Sequence, residues 1–178
     1  ETKEPAAKPG GEDNRNLLFS LSNLRFIDFD DWNNLTICFY TDEIKTKSKL
    51  STIKSCNALV SVLSSIYARG NNFDNAILFN TDANVIECSN SNIFIVKEDI
   101  IYTPPVSDGC VSGTMRGWVL NNETVIEKSL SEKEILNADE IFITNAVSGI
   151  IPIKKVEETE FFSFKLSAQL QKVLISQS

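Results

Sequence analysis

Asn80–Arg116 reads NTDANVIECSNSNIFIVKEDIIYTPPVSDGCVSGTMR, and its punctuation sets the fold of the chain. NAILFN (75–80) and NVIE (84–87) are divided by Thr81, Asp82 and Ala83, which predicts a β-hairpin. The polar CSNSN then leads into the apolar strand IFIV, a turn over Lys97–Asp99 precedes the strand IIYT, and Pro104–Pro105 stops it. SDGCVSGTMR sets Gly109 and Gly113 ahead of a helix beginning near Thr114. A glycine loop entering a helix leaves unpaired N–H groups and the positive end of the helix dipole in one place, a seat for an anion such as phosphate. Many ordinary helices open the same way.

Upstream, LTICFY (35–40) is rich in β-branched and aromatic residues and reads as a strand, and Thr41–Lys49 reads as a charged loop. The runs Leu17–Leu21 and Leu24–Phe29 suggest a strand entering the domain. From Ser51 to Gly70 the period changes to three and four. Leu59, Val62, Leu63, Ile66 and Tyr67 then form the expected buried helix face, with Gly70 as C-cap. Lys54 falls at the front of this predicted helix, where a cation gains nothing from the dipole. The position suits an amine acting as a nucleophile, although a surface lysine is the commoner reading of such a residue. Glu87 is the one acid in its strand. It is either buried with a partner or on a solvated edge.

Downstream, Val125–Leu130 reads as a strand. Ser131 with Glu134 forms a capping box. IFIT (141–144) and Ile150–Val156 read as strands around an Asn145–Gly149 turn, EETE (157–160) as a loop and Phe164–Leu174 as an amphipathic helix. Strands, helix, more strands and short helices in that order predict an α+β fold in which antiparallel hairpins dominate.

Composition limits what such a fold does. The 178 residues suffice for one domain with a core, and 42% hydrophobic with 23% charged residues is the balance of a soluble globular protein. A net charge of −7 argues against nucleic acid as partner, and no apolar run is long enough for a membrane helix. There is no histidine, which excludes His-dependent triads and argues against zinc. Cys38, Cys56, Cys88 and Cys110 lack C-x-x-C spacing and read as free thiols of a cytoplasmic protein. Residues 1–16, polar with Pro5, Pro9, Gly10 and Gly11 and without an initiator Met, read as a linker or cut end.

Three segments together resemble one family: STIKSCNALVSVLSSIYARGNNFDNAILFN, then NVIECSNSNIFIV with TPPVSDGCVSGTMR, then ADEIFITNAVSGIIPI. Their order and spacing are similar to those of the class IV aminotransferases, the fold-type-IV enzymes of pyridoxal 5'-phosphate (PLP). The family includes branched-chain and D-amino-acid aminotransferases and 4-amino-4-deoxychorismate lyase. The likeness runs from about Ser51 to Ile153. It implies a mixed, largely antiparallel, barrel-like larger domain with flanking helices over residues 17–178, PLP as cofactor, a small amino compound as substrate, and a homodimer. It implies Lys54 as the lysine that carries the cofactor and shuttles a proton. Glu87 would face the pyridine nitrogen, Val111 would pack on the ring, and Gly113, Thr114 and Met115 would meet the phosphate. Asn145 and Ala146 would form a second phosphate-side turn, and Asn92 has a structural role at a strand entry.

Two departures shape the expectation. The family's smaller N-terminal domain has no counterpart in the residues before Lys54. Met115 and Ala146 stand where transaminases of the family often carry hydroxyls. The second departure leans toward a lyase that releases 4-aminobenzoate and pyruvate, a step toward folate. Amino-acid transamination and a non-catalytic role of the same fold are the competing readings.

Overall fold

The computed structural model describes residues 35–48, 50–55 and 58–176. The expectations for residues 1–16, for the strand over 17–29 and for Cys56 lie outside them. The strands are β1 (Thr36–Lys45), β2 (Asn75–Asn80), β3 (Val85–Cys88), β4 (Asn92–Lys97), β5 (Ile100–Thr103), β6 (Val125–Glu127), β7 (Glu140–Asn145), β8 (Gly149–Pro152), β9 (Lys155–Val156) and β10 (Thr159–Glu160). The helices are α1 (Leu59–Gly70), α2 (Thr114–Asn122), α3 (Glu132–Leu136) and α4 (Lys165–Ser176).

Two five-stranded sheets result, in the orders β10-β9-β1-β2-β3 and β6-β5-β4-β7-β8. β1 runs parallel to β2 and β9, and β5 parallel to β6, while the other five pairs are antiparallel. The fold is therefore mixed and largely antiparallel, as the sequence predicts. The parallel β1–β2 pair needs a crossover, and α1 supplies it.

Alternation along each strand builds three apolar layers. Ile37, Ile77 and Phe79 from the first sheet meet Ile93, Ile95, Ile141, Ile143 and Ile151 from the second. The intervening residues point the other way. Cys38, Tyr40, Ala76 and Leu78 meet Val60 and Leu63 of α1. Phe94, Val96 and Phe142 meet Val119 of α2 and Leu170 of α4. Covering a sheet on both faces requires continuous apolar strands, which explains runs such as NAILFN and IFIV. No helix among the described residues is long and apolar enough to cross a membrane.

Several local expectations change. β1 continues through Lys45, so the expected loop is strand for five more residues. Helix α1 starts at Leu59 and not near Ser51, and Asn71, not Gly70, is its C-cap. Its buried face is also different. Ser64 and Ala68 are buried with Val60 and Leu63 packed beside them, while Leu59, Val62, Ile66 and Tyr67 are exposed. Two stripes of α1 have helical spacing, and the stripe with small residues sits close on the sheet, where Ser64 Oγ meets Ser89 Oγ at 2.7 Å. The expected strand over 150–156 divides into β8 and β9, and the expected EETE loop is the β9–β10 hairpin, turning at Glu157 with φ 49°. The capping box forms as read: Ser131 Oγ accepts from the Glu134 N–H, and Glu134 accepts from the Ser131 N–H.

Candidate functional site

β3 and β4 belong to different sheets, yet only Ser89–Ser91 separate them, closed by a Cys88–Ser91 bridge. Glu87 lies just before this joint and Asn92 just after it. Glu87 is 4% exposed, so the buried reading holds. One of its oxygens accepts from Lys45 Nζ at 2.5 Å, the other from the Val111 N–H at 2.8 Å. Asn92, paired with Thr144 of β7, donates from Nδ2 to the Val111 carbonyl at 2.8 Å. Two side chains from either side of the joint thus clamp one residue of the loop ahead of α2.

That loop is tight. The Gly113 N–H turns back to the Val111 carbonyl at 2.9 Å. A Cβ on Gly113 would fall well inside contact distance of Asn92 Oδ1, which is why this position lacks one. Gly113 is the N-cap of α2, and no side chain caps the helix. Its first turn therefore offers the N–H groups of Thr114 and Met115 to an anion. The Met115 side chain packs against the core layer beneath α2, leaving its backbone for that purpose.

The Lys54 loop lies against the same structure. Ser112 N–H donates to the Thr52 carbonyl at 3.1 Å. Gly109, at φ 107°, a conformation that favours glycine, lets Lys47 and Ser51 pass close to it. Lys54 itself is exposed, on the coil before α1 and not at a helix front. The dipole argument for it therefore fails, whereas its proximity to the loop through Thr52 stands.

Asn145 ends β7 beside the joint, with Nδ2 donating to Ser91 Oγ at 3.2 Å. Its Oδ1 accepts from the Val147 and Ser148 N–H groups, and Ala146 in that turn is exposed. Glu87, Val111 and Gly113 are thus joined directly through the clamp and its turn, and Asn145 meets the joint through Ser91, while Thr114, Met115, Ala146 and Lys54 adjoin them along the chain. Two clefts lie elsewhere, one lined by Val96, Asp139 and Leu166, the other by Ile44, Phe79 and Glu132.

Sequence reasoning missed Lys45 and Arg116. Lys45 reads as one of several lysines in a charged stretch, and its pairing with Glu87 spans 42 residues. Arg116 is 4% exposed and joins the Pro104 carbonyl (2.9 Å) to Glu127, tying α2 to β5 and β6. Nearby, burial pushes the Cys110 thiol up to about 11, against the pull of the Arg116 guanidinium.

Comparison with known proteins bears on this arrangement. The family model described as amino-transferase class IV matches residues 6–156. The chain is 36% identical over 110 residues to a D-alanine aminotransferase of Bacillus licheniformis, covering 59% of this chain and 38% of that protein. It is 29% identical over 127 residues to an aminodeoxychorismate lyase of Vibrio harveyi, covering 66% and 47%. A branched-chain aminotransferase of Thermoproteus uzoniensis superimposes with a TM-score of 0.75 at 25% identity, over 79% of this chain and 50% of that one. The chain spans about half or less of the length of each.

Proposed function

Because this chain belongs to the class IV aminotransferase family, whose enzymes use pyridoxal 5'-phosphate, we propose that it is the larger, cofactor-binding domain of such an enzyme, acting on a small amino compound. The observation that carries the proposal is the Glu87–Val111–Asn92 clamp. It fixes a buried carboxylate next to a loop that ends at an uncapped helix N-terminus. The donor set suits the cofactor: an acceptor carboxylate, free amides at a positive helix end, and an exposed amine on the adjoining coil. When bound, the cofactor supplies an electron sink for charge developing at the substrate's α-carbon.

The chain's own residues do the remaining work. Glu87 would accept a hydrogen bond from the protonated ring nitrogen and keep that proton in place. The Thr114 and Met115 N–H groups would hold the phosphate, with Ala146 as the second-turn donor. Val111, half-buried, would lie against the ring. Lys54 Nζ would hold the cofactor and would move a proton at the α-carbon. Within this reading we favour the lyase, giving 4-aminobenzoate and pyruvate, over transamination. Met115 and Ala146 bring no hydroxyl to the phosphate side, and their backbones alone serve there. We also take the enzyme to be a cytoplasmic homodimer.

Absorbance tests the cofactor assignment. The full-length protein incubated with PLP should gain a near-visible band that Lys54→Ala abolishes; no band in either protein ends the proposal. Product analysis separates the activities. Amino transfer from branched-chain or D-amino acids without any 4-aminobenzoate from aminodeoxychorismate would overturn the lyase assignment.

A further inference from the structure

The carboxylate assigned to the ring nitrogen already has a cation on it. Lys45 Nζ sits 2.5 Å from Glu87 Oε1, and the two side chains are only 16% and 6% exposed. The other oxygen is held by the Val111 N–H, part of the loop that leads to the phosphate site. That contact cannot be given up without moving the loop, so a ring N–H that takes over one oxygen in full takes the one Lys45 holds. Two cations on one carboxylate oxygen repel strongly in a poorly solvated site. The partners also differ in freedom. Glu87 is fixed in a buried strand, paired with Leu78. Lys45 is the last residue of β1, with a four-carbon stem and exposed residues on both sides, from Thr41 to Ile44 and at Thr46 to Ser48. The ammonium, not the carboxylate, is the partner able to leave.

We propose that Lys45 stands in for the cofactor's ring nitrogen. It holds Glu87 aimed while no cofactor is bound, and it moves out toward solvent when the cofactor binds. A buried carboxylate oxygen without a partner is costly and would turn away, and the seat for the ring nitrogen would be lost before loading. Lys45 is thus a positioning residue acting through Glu87. The inference rests on the role proposed above for that carboxylate.

The test is the acetylation rate of individual lysines in the full-length protein, with and without PLP, resolved by peptide mass spectrometry. Exposed Lys172 is the reference. Without PLP, Lys45 should label slowly, and Glu87→Gln should release it. With PLP bound, labelling of Lys45 should rise at least about fivefold, a change that a purely structural ion pair would not produce. Lys45→Met should lower the melting temperature of the cofactor-free protein yet gain more stabilisation from PLP than the wild type does, whereas Lys45→Arg should restore the cofactor-free behaviour. A near-visible PLP band together with unchanged or slower labelling of Lys45 overturns this inference and leaves the proposed function standing. Absence of the band overturns both.

Discussion

A methyl group at position 113 would have nowhere to go. It would displace Asn92 Oδ1 and break that side chain's bond to the Val111 carbonyl, leaving buried polar groups unpaired at a cost of about 1–3 kcal/mol. Gly113→Ala should therefore weaken PLP binding by tenfold or more in a fluorescence titration, with a smaller fall in melting temperature. The described thiols make a second expectation at this scale. Burial, then the Glu157 carboxylate, pushes Cys38 up to about 11. Burial, ahead of Glu87 and Cys38, raises Cys88 further, and Cys110 stands at about 11. All three should resist alkylation at pH 8 in the native protein and react on unfolding, as peptide mapping would show. Single residues were only partly legible in the sequence. Glu87 had two equal readings because a strand pattern does not say which face is covered. Lys45 had no signal, because its meaning comes from a partner two strands away.

At the scale of elements, what is local was legible and what is tertiary was not. The capping box at Ser131, the hairpin turns and the start of α2 at Thr114 rest on neighbouring residues and form as read. The buried face of α1 was misread because two stripes share helical spacing and only the sheet chooses between them. The capping box carries a pH dependence. The Lys128 ammonium chiefly, with Ser131, holds the Glu134 carboxyl down at about 2. A lowered carboxylate pKa contributes stability that is present above its unfolded value of about 4.3 and is lost as pH falls toward about 2. Glu134→Gln should thus be less stable than wild type at neutral pH, and urea melts should show the gap closing between about pH 4.3 and 2. The gap should be modest, since both side chains are about two-fifths exposed. In the second sheet, Phe94 of β4 stacks on Phe142 of β7 with centroids 4.9 Å apart. Phe94→Ala should cost about 3–5 kcal/mol of unfolding free energy in the same melts.

For the whole molecule, the arrangement of the site predicts how cofactor and fold are linked. Glu87 comes from one sheet, Asn92 and Asn145 from the other, and α2 lies on the outer face of the second. A ligand spanning them engages both sheets. PLP should then stabilise against global unfolding, by about 2.7 kcal/mol at a hundredfold excess over its Kd. Calorimetry of the full-length protein should show one transition moving upward as PLP is added, and Lys54→Ala should reduce the shift. The α+β class was legible from the order of strands and helices. The two-sheet layering was not, since continuous apolar strands say that both faces are covered without saying by what.

The three residues Ser89–Ser91 give the joint between the sheets a further meaning. Glu87 and Asn92 are five positions apart along the chain, so their separation is set by covalent geometry, at most about 18 Å even when extended, and far less in a closed turn. The length of this segment accordingly sets the clamp as much as any side chain in it. One inserted residue would turn β4 over, exchanging Ile93 and Ile95 with Phe94 and Val96 and pointing Asn92 away from the loop it holds.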